Sequence, residues 1–303
     1  MSESLTHRHE IVFLYDVKDI NPNGDPMDEN KPRIDEETGQ NIVTDVRLKR
    51  TVRDYLWEAK GLEVFVRETK KEDGSLKTKD ERLDHLDISN GEELARECID
   101  IRLFGATAAI KKKTITFTGP VQFKFGRSLH RVKLDYFKGT TVMPSGESKK
   151  QGTFTEVYTL PYSLIAFYGI ANENAAKTTG MTNNDLDLLM EGLWNGTKNL
   201  ISRSKVGQMP RFLLDVAYRQ PNFHIGELDK RIRLNTSVED EAIRDVNDFT
   251  LDFSSLWETL SKEKEKIESI RLRVDNRLKM VPSLDAPEVQ QFLAGIAFSA
   301  FQF

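Results

Sequence analysis

The sequence predicts an α+β domain of the ferredoxin-like, RNA-recognition-motif type, with a strand, helix, strand, strand, helix, strand core (βαββαβ) and long insertions. Three observations predict it. Residues 11–17 (IVFLYDV) form a short apolar run rich in β-formers, the pattern of a buried strand. Two amphipathic helical stretches follow, one from Thr44 to about Lys60 and one over residues 184–202. Runs of β-type lie between and after them, at 114–118, 121–125, 154–170 and 211–218.

The first strand ends in Asn21-Pro22-Asn23-Gly24-Asp25-Pro26, a dense set of turn formers, and a polar loop continues to Asn41. Thr44 or Asp45 then caps a helix that stops at Gly61. Leu48, Val52, Tyr55, Leu56 and Ala59 recur at helical spacing as its buried stripe. Arg47, Lys49, Arg50 and Arg53 are expected together on the other side with Trp57, flanked by Asp54 and Glu58. Residues 62–81 begin apolar and turn polar, and 70–80 (KKEDGSLKTKD) reads as a mobile loop. Residues 92–104 are helical in pattern, with Gly105 as the C-cap. The runs at 114–118 and 121–125 are two strands, or one strand broken by a bulge at Gly119-Pro120. Residues 128–152 form a long basic connection containing Gly139, Pro144 and Gly146; connections of that length are usually functional or disordered. Strand character resumes over 154–170. The second helix and the strand at 211–218 follow, then a charged helix near 253–266, a strand at 270–274 and an apolar tail from 289 to 303.

The chain has 303 residues, enough for one large domain or two ordinary ones. Hydrophobic residues make up 38% and charged residues 30%, a balance that fits neither disorder nor a membrane protein. No stretch approaches the roughly 20 apolar residues of a membrane helix, and residues 1–10 hold no apolar signal-peptide core. A cytoplasmic protein is expected. The one cysteine, Cys98, lies among Leu94, Ile99 and Ile101 and reads as a buried thiol; it can build neither an internal disulfide nor a multi-cysteine zinc site.

The formal net charge of −4 argues against a nucleic-acid partner, but its distribution reverses the argument. Residues 111–150 hold ten basic residues against Asp135 and Glu147, so that segment carries +8 and the remainder −12. A basic segment on an acidic chain can form a positive groove for a phosphate backbone; its bland counterpart is a solvated charged face. The end of the first helix adds unpaired N–H groups and a positive dipole. Thr44, Arg47, Lys49, Arg50 and Arg53 surround that end, and arginine can fork onto two phosphate oxygens. Arg203-Ser204-Lys205-Val206-Gly207-Gln208 is a third candidate, with an ordinary cation-rich helix C-terminus as its alternative. Phe137, Met143 and Phe154 lie in or beside the basic connection and are candidates for stacking on bases, whereas Phe123 and Phe125 alternate in a strand and read as core.

Signals for catalysis are weaker. Asp25, Asp28 and Glu29, with Asp16 and Asp19 before them, could hold Mg²⁺; carboxylates are equally routine in turns. The five histidines, His7, His9, His85, His130 and His224, show no metal-ligand spacing, and there is no G-x-S-x-G, P-loop or dinucleotide fingerprint. Neither catalytic residues, a resident metal nor a cofactor are expected.

Several motifs together resemble one family. They are Tyr15-Asp16-Val17-Lys18-Asp19 before the 21–26 turn, Arg33-Ile34-Asp35, Thr38-Gly39, and Val43-Thr44-Asp45-Val46-Arg47-Leu48-Lys49-Arg50. Arg102-Leu103-Phe104-Gly105, Gly119-Pro120-Val121-Gln122-Phe123, Phe125-Gly126-Arg127-Ser128-Leu129 and Arg203-Ser204 with Gly207-Gln208 continue the similarity. Over about residues 10–220 the chain resembles the CRISPR-associated Cas-seven family, the backbone subunit of Cascade surveillance complexes, with the type I-B (Csh-two-like) branch nearest and type I-C close to it. The resemblance implies a palm over 10–220 with a finger-type insertion at 62–110 and a thumb-type insertion at 128–152; residues 221–303 would complete the same domain. It implies repeated copies in a helical filament along one CRISPR RNA, each thumb displacing one base and the other bases left to pair with target DNA. The implied partners are that RNA, target DNA through it, copies of the chain, and the large, small, foot-capping and repeat-processing subunits, with no membrane. The combined reading places RNA contacts at Asn21, Asn23, Thr44, Arg47, Lys49, Arg50, Arg53, Arg102, Lys124, Arg127, Arg203, Lys205 and Gln208. Type III relatives cut RNA with an acidic loop residue, so the cluster near Asp25 keeps a metal-dependent ribonuclease as the alternative.

Overall fold

The computed structural model of the chain describes residues 4–110, 113–140 and 154–303. Its centre is strand β1, Arg8–Val17, whose residues from His9 onward are all buried. β1 pairs antiparallel with Ser163–Ala171 on one side and Met209–Tyr218 on the other. The full sheet runs Ala297–Ala300, Ile267–Val274, Met209–Tyr218, β1, Ser163–Ala171, Gly126–Arg131 and Gln40–Val43, with Val121–Phe123 also pairing on Ser163–Ala171.

Alternation along β1 divides the core into two layers, because successive side chains of a strand point to opposite faces. Ile11, Phe13, Tyr15 and Val17 pack with Leu48, Val52 and Leu56 of helix α1 (Asp45–Glu58) and with Leu186, Leu189 and Met190 of helix Asn183–Glu191. Val12 and Leu14 face the other way, against Phe253, Leu256, Trp257, Leu260, Val289 and Phe292 from the C-terminal third. Both faces of the central strands are therefore covered. Bases cannot stack on an open sheet face as they do in an ordinary RNA-recognition motif, so any nucleic-acid site must use helix ends and loops.

Residues 62–118 build a third, smaller cluster from Phe65, Leu83, Ile88, Leu94, Ala95, Cys98 and Ile101, backed by Ile115 and Phe117. Cys98 is buried within it, as its neighbours imply. The 92–104 stretch is two helices, Gly91–Glu97 and Ile99–Phe104, because the backbone extends at Cys98 and the Ile99 N–H turns aside to donate to the Glu63 carbonyl. Gly105 caps the second helix at φ 69°, where a side chain would strike the Phe117 carbonyl. Strand Lys113–Thr118 pairs with Gly105–Ile110, a strand the sequence hides, and Val121–Phe123 joins the main sheet; they are two strands, not one with a bulge.

Three further boundaries differ from expectation. Gly126–Arg131 is a strand of the main sheet and not the start of a connection. Its inward positions are Gly126, Ser128 and His130, polar or small, so no apolar alternation advertises it. Residues 154–170 are two strands in different sheets. Phe154–Thr159 pairs with Asp135–Thr140, and the chain turns at Pro161, which lacks an N–H, before Ser163 enters the main sheet. The 184–202 helix is α-helical to Glu191, passes through one π-helical turn, Gly192–Gly196, and ends at Lys198. That turn lies tight on α1: a Cβ on Gly196 would stand 2.9 Å from Tyr55 Cβ, and one on Gly192 would stand 3.0 Å from Val52 Cγ1. Among the described residues, no helix is long and apolar enough to cross a membrane.

Candidate nucleic-acid interface

Thr44 leaves the strand with extended backbone and accepts the Arg47 N–H on its hydroxyl, the side-chain cap that starts α1. Asn23 Oδ1 accepts from both the Thr44 N–H (2.9 Å) and the Thr44 hydroxyl (3.0 Å), so the turn after β1 is fastened to the helix start. Asn21 is buried and acts as scaffold: its N–H donates to the Ser204 carbonyl (3.0 Å) and its side-chain amide to the Asn30 carbonyl (2.6 Å). The first of these bonds ties the 202–207 loop to the turn that follows β1. Thr44→Ala is expected to cost about 1 kcal/mol, the usual value of an N-cap, readable as a lower midpoint in urea.

A groove of 610 Å³ opens between this end of α1 and residues 65–82. Asn23, Thr44, Arg47, Arg50 and Arg53 line one wall; Arg67, Lys77, Lys79 and Arg82 line the other, with Arg33 at the turn and Glu68 the one acidic residue among them. Several of these cations are held by carboxylates. Arg53 reaches Asp100 at 3.0 Å, Arg50 reaches Asp54 at 2.6 Å, Arg33 reaches Asp25 at 2.6 Å, and Arg82 pairs with Glu63. Arg67 lies 3.6 Å above the Trp57 ring. Arg47, Lys77 and Lys79 form no ion pair among the described residues.

Arg47 is the most informative of them. Burial pushes its guanidinium below the ordinary range, and its hydrogen bond goes to the Thr51 hydroxyl (2.9 Å), not to a carboxylate. Lys205 is likewise pushed down, first by burial and then by the Arg47 charge, and bonds the Ser204 hydroxyl (3.1 Å). Burial disfavours both charges, the Arg47 charge adds to the cost at Lys205, and Asp54 offsets part of it at Arg47. A phosphate in the groove beside Arg47 would lower that cost further.

The remaining expected contacts divide. Lys49 does not join the other cations of α1: it is buried, bonded to Asp45 (2.9 Å) and Gln122 (3.1 Å) and set over the Phe104 ring. Helix geometry gives the reason, since at 3.6 residues per turn Lys49 lies only about 20° from Leu56, on the packed side. Arg102 forks onto Asp185 (3.0 and 2.9 Å) and the Ala95 and Arg96 carbonyls, tying two helices together. Gln208 is buried and Arg203 exposed beside Lys205. Lys124 and Arg127 line a separate cleft. Phe125 is not core but 55% exposed. Phe137 is exposed on the Asp135–Thr140 strand, Phe154 is placed by its backbone pairing with Thr140, and Met143 lies outside the described residues. Lys111, Lys112, Lys149 and Lys150 also lie outside them, and the wall facing α1 comes instead from residues 65–82.

The 70–80 stretch is not a bare loop. Lys70 bridges Leu76, and Thr78 caps helix Lys79–His85 through a reciprocal capping box with Glu81. The Thr-x-x-Glu spacing was the available signal. Arg33, Arg67, Lys77, Lys79 and Arg82 were missed because their meeting with α1 is tertiary.

The acidic turn is internally engaged. Asp25 accepts from Arg33 and from the Met27 N–H, while Asp28 and Glu29 hold Lys31 at 2.7 and 3.3 Å. The Tyr158 hydroxyl and Lys31 together hold the Glu29 carboxyl below its usual range. Asp16 is buried against Arg211 and Tyr162, and burial raises its carboxyl. Among the described residues, no group of three or more His, Cys, Asp or Glu side chains converges as metal ligands.

The family model described as CRISPR-associated protein Cas7 matches residues 7–254. A CRISPR-associated protein Cas7 of Haloferax volcanii is 32% identical over 305 residues, covering 90% of this chain and 88% of that protein. Among solved structures, a chain of a "CRISPR RNA-guided surveillance complex, pre-nicking" is similar in fold, with a TM-score of 0.54 at 12% identity, over 95% of this chain and 100% of that one. A chain of a second CRISPR RNA-guided surveillance complex gives 0.53 at 13% identity over the same shares. With the family model covering most of the chain and the Haloferax relative matching along nearly all of it, this chain belongs to the CRISPR-associated Cas7 family.

Proposed function

We propose that the chain grips a CRISPR RNA guide by its sugar–phosphate backbone, as a repeated, non-catalytic subunit of a type I Cascade surveillance complex of the I-B branch. The groove at the start of α1 carries this reading, because Arg47, Lys77 and Lys79 line it without an ion pair among the described residues, and burial holds the Arg47 guanidinium below its ordinary range. Backbone contacts carry no sequence information, so one protein can hold any guide and leave specificity to base pairing with target DNA. The order Met209–Tyr218, β1, Ser163–Ala171, then Val121–Phe123 and Gly126–Arg131, all antiparallel, supports an RNA-recognition-type palm. On it the 62–118 cluster serves as the finger, and the ribbon of Asp135–Thr140 and Phe154–Thr159 as the base of the thumb. Copies line up along one guide in the cytoplasm, with the other Cascade subunits at the ends and flank of the filament. Asp25 is occupied by Arg33, which supports a structural turn over a metal-dependent ribonuclease centre.

Co-expression with a CRISPR array tests this. RNA of defined length is expected to co-purify, to bind without added metal, and to lose affinity with salt at a slope of about −0.7 per phosphate contact. Protein that purifies free of nucleic acid and binds none at low salt would contradict it.

A further inference from the structure

The acidic side chains at the α1 groove fall into two kinds. Asp25, Asp54, Asp100 and Glu63 lie outside its lining and hold Arg33, Arg50, Arg53 and Arg82. Glu68 lines the groove itself, exposed, and makes no ion pair or side-chain hydrogen bond among the described residues. Arg47, Lys77 and Lys79 line the same groove without an ion pair among those residues, so the Glu68 carboxylate is not there to neutralise them. Its backbone is anchored on both sides. The Phe65 and Val66 N–H groups donate to Asp100 (2.8 and 3.1 Å), and the Lys77 N–H donates to the Thr69 carbonyl (2.8 Å). Val46, Val66 and Leu76 add exposed aliphatic surface to the lining, which suits the carbon faces of sugars as well as phosphates.

A bare carboxylate repels a phosphate strand unless the strand offers it a hydrogen-bond donor. The phosphates have none to give. A sugar–phosphate backbone has one donor that recurs at every residue and does not depend on sequence, the ribose 2′-hydroxyl. We propose that Glu68 accepts a hydrogen bond from a 2′-hydroxyl of the strand whose phosphates lie at Arg47, Lys77 and Lys79, and so makes the groove select ribose over deoxyribose. The inference rests on the guide-backbone reading and adds a specificity to it. A hydrogen bond to an ionised acceptor is stronger than one between neutral groups, so with RNA the contact offsets the repulsion. With DNA the donor is gone and the repulsion remains. The discrimination therefore comes from penalising the wrong strand as well as from holding the right one.

The test measures binding of the wild type, Glu68→Ala and Glu68→Gln to three short oligonucleotides of one sequence: RNA, DNA, and 2′-fluoro RNA, which keeps the RNA sugar pucker but lacks the donor. Glu68 is exposed, so both variants are expected to melt with the wild type. The wild type is expected to bind RNA roughly tenfold more tightly than either other strand, the scale of one hydrogen bond to a charged group. In Glu68→Ala that preference should collapse, with DNA and 2′-fluoro RNA bound more tightly than by the wild type. Glu68→Gln keeps an acceptor oxygen without the charge and should retain part of the preference. A preference that survives unchanged in Glu68→Ala, including equal tightening on all three strands, would mark Glu68 as a plain repulsive charge and overturn the proposal. A wild type that binds RNA and 2′-fluoro RNA alike would overturn it too. Both results leave the backbone groove standing. If the wild type binds none of the three strands, both readings fall together.

Discussion

Asp100→Ala is expected to destabilise the chain by about 3–5 kcal/mol, the range for breaking a buried, hydrogen-bonded ion pair, and to loosen the RNA groove at the same time. Asp100 is 0% exposed. Its Oδ1 accepts from the Phe65 N–H (2.8 Å); its Oδ2 accepts from the Val66 N–H (3.1 Å) and from Arg53 Nε (3.0 Å). One carboxylate thus joins the two walls of the groove, residues 65–66 on one side and α1 on the other. Alanine leaves two amides and a guanidinium without the carboxylate that holds them. Urea denaturation reads the stability, and RNA affinity in a condition where the variant is still folded reads the groove. A variant as stable as the wild type would show that the walls are held some other way.

The paired substitution Arg47→Ala with Lys205→Ala should have the opposite signature. Stability is expected to stay level or rise, because burial disfavours both charges and the Arg47 charge further disfavours Lys205. RNA affinity is expected to fall for every sequence alike, and its salt dependence to flatten by about 1.4 in slope, 0.7 for each lost phosphate contact on a single strand. A loss of stability equal to the loss of binding would mark the two residues as structural. Lys49→Ala is the contrasting control: Lys49 is bonded to Asp45 and Gln122 away from the groove, so its removal should act on folding and leave the salt slope unchanged.

What could be read in the sequence was local. The β1 run, the Thr44 cap, Leu48, Val52 and Leu56 of the α1 stripe and the cations Arg47, Arg50 and Arg53 follow from neighbours within a turn or two, and the structure has them in those places; Ala59, expected in the stripe, is exposed at the helix C-cap. Lys49 is also local, but it points to the packed side beside Arg53, over the same Phe104 ring, while Arg47 lies about 160° around the helix from it. Strand Gly126–Arg131 escaped because its inward residues are polar and find partners only after folding: the Asn41 N–H donates to Ser128 Oγ, and the Leu164 N–H to His130 Nε2. The second wall of the groove escaped for a similar reason. Nothing near Lys77 or Lys79 in the chain shows that Asp100 will bring Phe65 and Val66, and with them this segment, against α1. The charge count drew attention to residues 111–150, yet charge along a chain does not say which surfaces meet in space.

Acetylation footprinting of lysines with and without saturating guide RNA tests the central claim most directly. Lys77, Lys79 and Lys205 are expected to lose reactivity when RNA binds, while Lys262, exposed on the distant C-terminal helix Ser254–Lys262, stays as reactive as before. If Lys77, Lys79 and Lys205 react equally with and without bound RNA, the backbone does not run between α1 and residues 65–82.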